Sequence, residues 1–307
     1  MNSDHFQGLT SESRRKFGLV ALASTATIGL VAIGARASGL DLTTAVEYVK
    51  KAGGRVGIAA GNYVLERPLI IEGENFELFC EGIVTISYIG NATSPLKLVN
   101  CRNVSISGLK VSGNKKTLTL ISIEKSKRVI LSSIEVRSYM QTGIQILESE
   151  DCVISGCTFN DALIDTRWKM PFATDVVVLG GRNKAIKIEA GIHRSGGGYG
   201  IAVRTNSFGE KSIDHIILNN DINGYNSYGI MLYRNGSSRP DSDQEITGVS
   251  IIDNKISNIS GARSASPEKP EVKDFGAGIY VQGAEDTLIE RNYIDNTNID
   301  TTSQLLA

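Results

Sequence analysis

The chain has 307 residues, 32 of them basic and 33 acidic, for a formal net charge of −1. That balance excludes the basic excess on which nucleic-acid binders rely, so an acidic ligand must be held by a local cluster. Gly is plentiful at 32 residues, aromatics make up 6%, and only six residues are Pro, a mix that suits stacked strands with Gly and Asn corners rather than a helical bundle.

At the N-terminus, Ser13-Arg14-Arg15-Lys16-Phe17 leads into an apolar run from Leu19 to Ile33, followed by Ala35-Arg36-Ala37. A charged stretch, an apolar stretch and small residues in that order make an export signal. Arg14-Arg15 followed by Phe17 resembles the bacterial twin-arginine signal. The run is short and diluted by Ala, Thr, Ser and Gly, which disfavours a permanent span. Residues 1–37 are therefore expected to be a removable signal. The mature chain, 38–307, is expected to start near Ser38, lack a membrane span, and reach the periplasm or beyond.

Asp41 is placed to cap a short helix with Leu42, Ala45, Val46 and Val49 on one face, ended by Gly53-Gly54. Arg55 to Leu65 then reads as strand, turn, strand. Beyond it one phrase recurs. A Gly-Ile strand appears at Gly143-Ile144, Gly200-Ile201, Gly229-Ile230 and Gly278-Ile279, and a second strand holds Asn219-Asn220-Asp221-Ile222, Asp253-Asn254-Lys255-Ile256 and Arg291-Asn292-Tyr293-Ile294. Weaker copies start at Ile106, Leu131 and Ile154. Such a unit buries its apolar side only against a neighbouring copy, which makes the chain a solenoid, and the helix is placed to cover one end.

Aligned positions give the coil length. Ile106 to Leu131 is 25 residues and Leu131 to Ile154 is 23, one turn of a three-sided coil. Ile154 to Ile217 is 63 residues, and the excess is assigned to an insert within 160–198, with smaller inserts near 235–246 and 260–276. Cys157 stands in the slot that Asn220, Asn254 and Asn292 hold later. The four cysteines, Cys80, Cys101, Cys152 and Cys157, are expected to be buried free thiols, with no zinc-like spacing. After Asn298 no amphipathic cap is evident. The tail is expected to fold over the last edge, or the sequence is a shortened member of a longer family; end-to-end association or a trimer is a further way to cover that surface.

This pattern resembles the right-handed parallel β-helix of the pectate-lyase-like superfamily over nearly all of residues 40–298. The segment from Gly53-Gly54 to Gly61-Asn62-Tyr63-Val64-Leu65 resembles the capping segment of tailspike-like and glycan-active members. Together with Arg14-Arg15 the chain also resembles twin-arginine-exported β-helix repeat proteins, a group without an assigned reaction. The resemblance implies an all-β fold, a right-handed parallel β-helix with a short N-terminal capping helix, and a polysaccharide as the partner.

Strand alternation places Gln145, Ala202, Met231 and Tyr280 outward in one column, with Leu147, Arg204, Tyr233 and Gln282 in the next and Arg234 just beyond. Aromatic rings stack on sugar faces and Arg forks onto carboxylate or sulfate. Arg204, Tyr233, Arg234 and Tyr280 thus form a glycan-like surface. The 160–198 segment supplies Asp165, Arg167, Trp168, Lys169, Glu189, His193 and Arg194, followed by Tyr199. The candidate catalytic residues are Asp165, Glu189, His193, Arg204 and Arg234; the candidate substrate-binding residues are Trp168, Lys169, Tyr199, Tyr233 and Tyr280. A lyase needs a base and a cation beside the carboxylate, and a glycosidase needs two carboxyl groups, for which Asp165 and Glu189 are the candidates. His215, at a strand start, is expected to make a structural hydrogen bond.

The Asn-Thr-Asp, Asp-Asp, Gly-His-Gly and Arg-Ile-Lys set of polygalacturonase-like hydrolases is absent, as is the Arg-x-Pro-x-x-Arg motif of pectate lyases. Tyr199-Gly200-Ile201 is similar to a run in mannuronan epimerases, but Ala202-Val203 replaces the Asp-Pro that should follow. Asp253 and Glu290 lie outward on adjacent coils, yet no calcium-binding nonapeptide repeat is present, and neither metal nor cofactor is expected. Two functions stay open: a lyase or glycoside hydrolase acting on an acidic polysaccharide, or a non-catalytic β-helix that binds glycan or assembles in the envelope.

Overall fold

A computed structural model describes residues 36–165, 170–171, 173–235, 243–260 and 276–297. Asp41 caps the helix Leu42–Ala52, its carboxylate accepting from the Thr43 and Thr44 N–H groups at 3.0 and 3.1 Å. That satisfies two donors the first helical turn leaves open. Gly53 closes the other end at φ 61°, its N–H bonded to Val49 O. The apolar face of Leu42, Ala45, Val46 and Val49 is buried in the main core, so the helix closes one end of the coil.

The rest is a right-handed parallel β-helix. One wall is an eight-stranded sheet whose spatial order follows the chain: Leu69–Ile71, Leu96–Val99, Thr119–Glu124, Thr142–Leu147, Thr174–Leu179, Tyr199–Thr205, Tyr228–Arg234 and Ala277–Gln282. A larger sheet forms the other walls in two rows. One row runs through Lys127–Ser132, Val153–Ser155, Lys187–Glu189, Ile216–Leu218, Ser250–Ile252 and Leu288–Glu290. The other runs through Glu135–Arg137, Thr158–Asn160, Ile192–Arg194, Asp221–Asn223, Lys255–Ile259 and Tyr293–Thr297. Columns of identical register stack down the interior, such as Ile154, Ile188, Ile217 and Ile251. Each is at most 2% exposed, and a fully buried aliphatic side chain contributes about 1.5–3 kcal/mol.

The corner between the two rows has a fixed conformation. Ser133, Ala190, Asn219, Asp253 and Arg291 have φ between 52° and 55°, and Gly156 has 60°. The slot after this corner points inward and holds Cys157, Gly191, Asn220, Asn254 and Asn292. Asn220 Nδ2 donates to Ile188 O at 3.1 Å and to Asn254 Oδ1 at 2.9 Å. Asn254 repeats the pattern on Asn292 at 2.9 Å, so the ladder satisfies carbonyls that the turn removes from the sheets. Cys101, Cys152 and Cys157 are buried free thiols as expected; Cys80 is only half-buried.

The long insert is smaller than its spacing suggests. Ile188 pairs with both Ile154 and Ile217, so residues 173–195 form a complete coil with strands Thr174–Leu179, Arg182–Lys184, Lys187–Glu189 and Ile192–Arg194. Ahead of this coil, Ile164–Asp165 and Met170–Pro171 form a short antiparallel pair outside the parallel walls. This coil escaped the repeat because Asp175 stands where the coils on either side have Gly143 and Gly200: Thr174 pairs with Thr142 and Tyr199, and Val176 with Ile144 and Ile201.

Candidate functional site

The outward face of the eight-stranded sheet changes character along the coil. In its first half it carries Lys97, Ser122, Glu124 and Gln145, tied by bonds such as Ser122 Oγ to Glu124 Oε1 at 2.6 Å and Thr119 Oγ1 to Gln145 Oε1 at 3.0 Å. From the next coil onward the same column becomes Val177, Ala202, Met231 and Tyr280. Val177, Ala202 and Met231 form a small apolar cluster separate from the main core, with Leu179, Tyr199, Tyr228, Tyr233 and Tyr280 packed against it. Side chains on the outside of a strand bury themselves this way only when large neighbours lie over them.

The rings form a ladder across three coils. Tyr199 stacks on Tyr228 with centroids 5.8 Å apart and planes at 26°, and Tyr228 on Tyr280 at 4.6 Å and 16°. Beside them Arg204 pairs in register with Tyr233, its guanidinium carbon 5.9 Å from that ring's centre. The buried Arg204 Nε has no hydrogen-bond partner. An Arg edge beside an aromatic ladder is a chemistry that recognises a planar anion attached to an apolar ring face. Tyr228 was missed from sequence, although Tyr228-Gly229-Ile230 repeats Tyr199-Gly200-Ile201 one coil later and marks the same position.

The other candidates are dispersed. Arg234 is turned to the corner, donating to Gln244 O at 3.3 Å and lying 3.5 Å from Glu285 Oε1, because it follows the inward parity of Thr205, its register partner. Glu189 belongs to another wall, paired with Lys187 at 2.6 Å, so it is not on the face that carries Arg204. His193 is a correction to the surface reading: it is fully buried, its ring stacked on Phe159 at 4.7 Å and its Nδ1 3.0 Å from Asp175 Oδ2. The full coil at 173–195 puts it inside the stack instead of on an inserted loop. Asp165 lies in the short strand Ile164–Asp165, whose side chains are not described, and Arg167, Trp168 and Lys169 lie outside the described residues. Arg194 binds Asp221 at 2.5 Å on yet another wall.

His215 makes the structural bond expected of it, Nδ1 accepting the Ile186 N–H at 3.1 Å. Asp253 and Glu290 are both held by Arg291, at 2.8 and 2.7 Å, and the Arg291 hydrogen bonds keep the Asp253 carboxyl below the usual carboxylate range. Among the described residues no group of three or more His, Cys, Asp or Glu side chains converges as a metal site would require. No described helix is long and apolar enough to cross a membrane.

No protein-family model matches the sequence, and no curated protein matches it either. Solved structures do. Pectate lyase Pel9A superposes with a TM-score of 0.54 at 9% identity, over 85% of this chain and 78% of that one. An iota-carrageenase in complex with iota-carrageenan fragments gives 0.51 at 11%, over 89% and 93%. A 1,3-α-1,4-β-D-galactose-4-sulfate-3,6-anhydro-D-galactose-2-sulfate 4-galactohydrolase gives 0.52 at 11%, over 89% and 92%. At such identities the likeness is one of fold alone, that of a parallel β-helix.

Proposed function

We propose that this chain is an exported, polysaccharide-active β-helix that holds an acidic polymer along the C-terminal half of the eight-stranded sheet. The observation that carries the reading is the ladder of Tyr199, Tyr228 and Tyr280, with Arg204 and Tyr233 in register beside it. The rings take sugar faces, and the guanidinium takes a carboxylate or sulfate. Named actions of the fold neighbours, a pectate lyase and a carrageenase among them, agree with an anionic polymer.

Between the two chemistries, elimination fits this face better than hydrolysis. Arg204 would neutralise the carboxylate beside the C5 proton, and Tyr233, in register with it, is the candidate to take that proton and return one to O4 as the C4–O4 bond breaks and the C4=C5 double bond forms. A hydrolase needs two carboxyl groups across the bond, and Glu189 stands on a different wall. Binding without turnover is the second reading, favoured by the apolar column of Val177, Ala202 and Met231 beneath the rings. Under either reading residues 1–37 serve as a twin-arginine signal; changing Arg14-Arg15 to Lys-Lys should leave unprocessed protein in the cytoplasm.

Proton NMR of the purified protein with polygalacturonate, alginate and sulfated galactans tests the proposal. New olefinic protons mean a lyase, new reducing-end signals a hydrolase, and saturable line broadening alone a binding module. Arg204→Ala should abolish the effect while far-ultraviolet circular dichroism stays unchanged. Unaltered turnover or binding in that variant would remove the face from consideration.

A further inference from the structure

The buried Asp175 carboxylate takes no part in the chemistry above, yet its bonds lead to the turns that carry the rings. It fills the inward slot that Gly143, Gly200, Gly229 and Gly278 hold elsewhere and is fully buried. Oδ1 accepts from the Tyr139 hydroxyl at 2.5 Å and from Ser195 Oγ at 2.5 Å. Oδ2 accepts from His193 Nδ1 at 3.0 Å and from the Tyr225 hydroxyl. Four donors match the acceptor capacity of an ionised carboxylate, which is what a charge in a coil interior requires.

Ser195 Oγ in turn accepts the Gly197 N–H at 3.2 Å. The Gly198 and Tyr199 N–H groups both bond Ala173 O, at 2.9 and 3.1 Å, and a Cβ on Gly197 would collide with that same carbonyl. Tyr199 leaves this turn. Tyr225 stands three residues before Tyr228, and the turn between them lies on the first one: Asn226 N–H bonds Gly197 O at 2.9 Å, and Ser227 and Tyr228 N–H bond Gly198 O at 3.0 and 3.1 Å. One carboxylate is therefore bonded to both turns from which the stacked rings project.

We propose that Asp175 is a positioning residue for the aromatic face, setting the Tyr199–Tyr228 stack through Ser195 and Tyr225. The inference rests on the reading of that face as the polymer site. Tyr139 supplies an internal control. It donates to the same oxygen as Ser195, but its corner leads to Thr142, where the column carries no ring.

The test uses Ser195→Ala, Tyr225→Phe and Tyr139→Phe in the full chain, with tyrosine-labelled NMR signals, melting temperature and polygalacturonate affinity measured on each. All three should melt earlier. Only Ser195→Ala and Tyr225→Phe should move the Tyr199 and Tyr228 ring signals and weaken polygalacturonate binding, on the order of tenfold. Ring signals at wild-type positions in those two variants would overturn the proposal, as would equal shifts in all three. If the wild type binds no polygalacturonate, the polymer reading fails for that probe, while the ring signals still decide the role of Asp175. Asp175→Gly, which restores the residue usual in this slot, should show both ring shifts if it folds; the Ser195 and Tyr225 variants decide the matter if it does not.

Discussion

His215 lies inside the coil at 1% exposure, with Nδ1 accepting the Ile186 N–H and Nε2 carrying the remaining proton without a partner. Burial pushes its pKa down from 6.5 to about 3. A second proton on Nδ1 would also point at the Ile186 N–H and break that bond. Because the folded value is lowered, the stabilisation is present above the unfolded pKa near 6.5 and is lost as pH falls below it. At roughly 1.36 kcal/mol per unit, the loss reaches about 2 kcal/mol by pH 5 and about 4–5 kcal/mol once both states are protonated. The comparison that isolates it is His215→Asn. The Asn Oδ1 can accept the Ile186 N–H much as Asn220 Oδ1 accepts the Gly191 N–H at 2.9 Å, and it does not titrate. Urea unfolding at pH 7.5, 6 and 5 should show the wild type losing about 2 kcal/mol more than the variant by pH 5. Parallel pH curves for the two proteins would refute the reasoning, because every other titrating group is common to both.

Tyr139 and Tyr225 are pushed well above the ordinary tyrosine range, first by burial and then by the Asp175 charge. Two of the ten tyrosines should therefore stay protonated in an alkaline absorbance titration until the protein unfolds, with stability falling as pH rises past about 10. Asn254→Ala removes the donor to Ile217 O and the acceptor for the Asn220 N–H; it should cost about 2–4 kcal/mol in urea unfolding. A loss under about 0.5 kcal/mol would mean that water replaces the ladder. Burial holds the Cys152 and Cys157 thiols up at about 11 and Cys101 at about 12, so Ellman's reagent at pH 8 should reach these three only in denaturant. Half-buried Cys80, also near 11, should be the first to react. Tyr228→Ala should weaken acidic-polymer binding more than Tyr280→Ala, since Tyr228 stacks on two rings and Tyr280 on one; the reverse order in a titration would argue against a continuous ladder.

The repeat was legible where its punctuation survived. The Gly-Ile strands and the Asn-x-Ile strands announce themselves because several coils use the same residue at the same slot: a Cβ at Gly200 would lie 2.7 Å from Gly229 O, and Asn220, Asn254 and Asn292 bond one another in a ladder. The coil at 173–195 lost both marks, with Asp175 in the Gly slot and Gly191 in the Asn slot, and it read as an insert. His193 was misplaced with it. Strand alternation located Arg204, Tyr233 and Tyr280 on one face, since parity is a local property of a strand. Arg234, one residue on from Tyr233, falls by the same alternation on the inward parity of Thr205, and it bonds Gln244 and Glu285 at the corner instead of joining that face.

From sequence alone the chain was bound to be a solenoid, because copies that each bury one apolar side must stack in register, and the period of those copies is written along the chain. The tertiary structure alone decided which outward residues meet. Tyr199, Tyr228 and Tyr280 are 29 to 81 residues apart, yet the coil returns them to neighbouring positions, and the Asp175 carboxylate is bonded to the turns before the first two. That arrangement depends on the exact length and bonding of each coil, which no local pattern encodes.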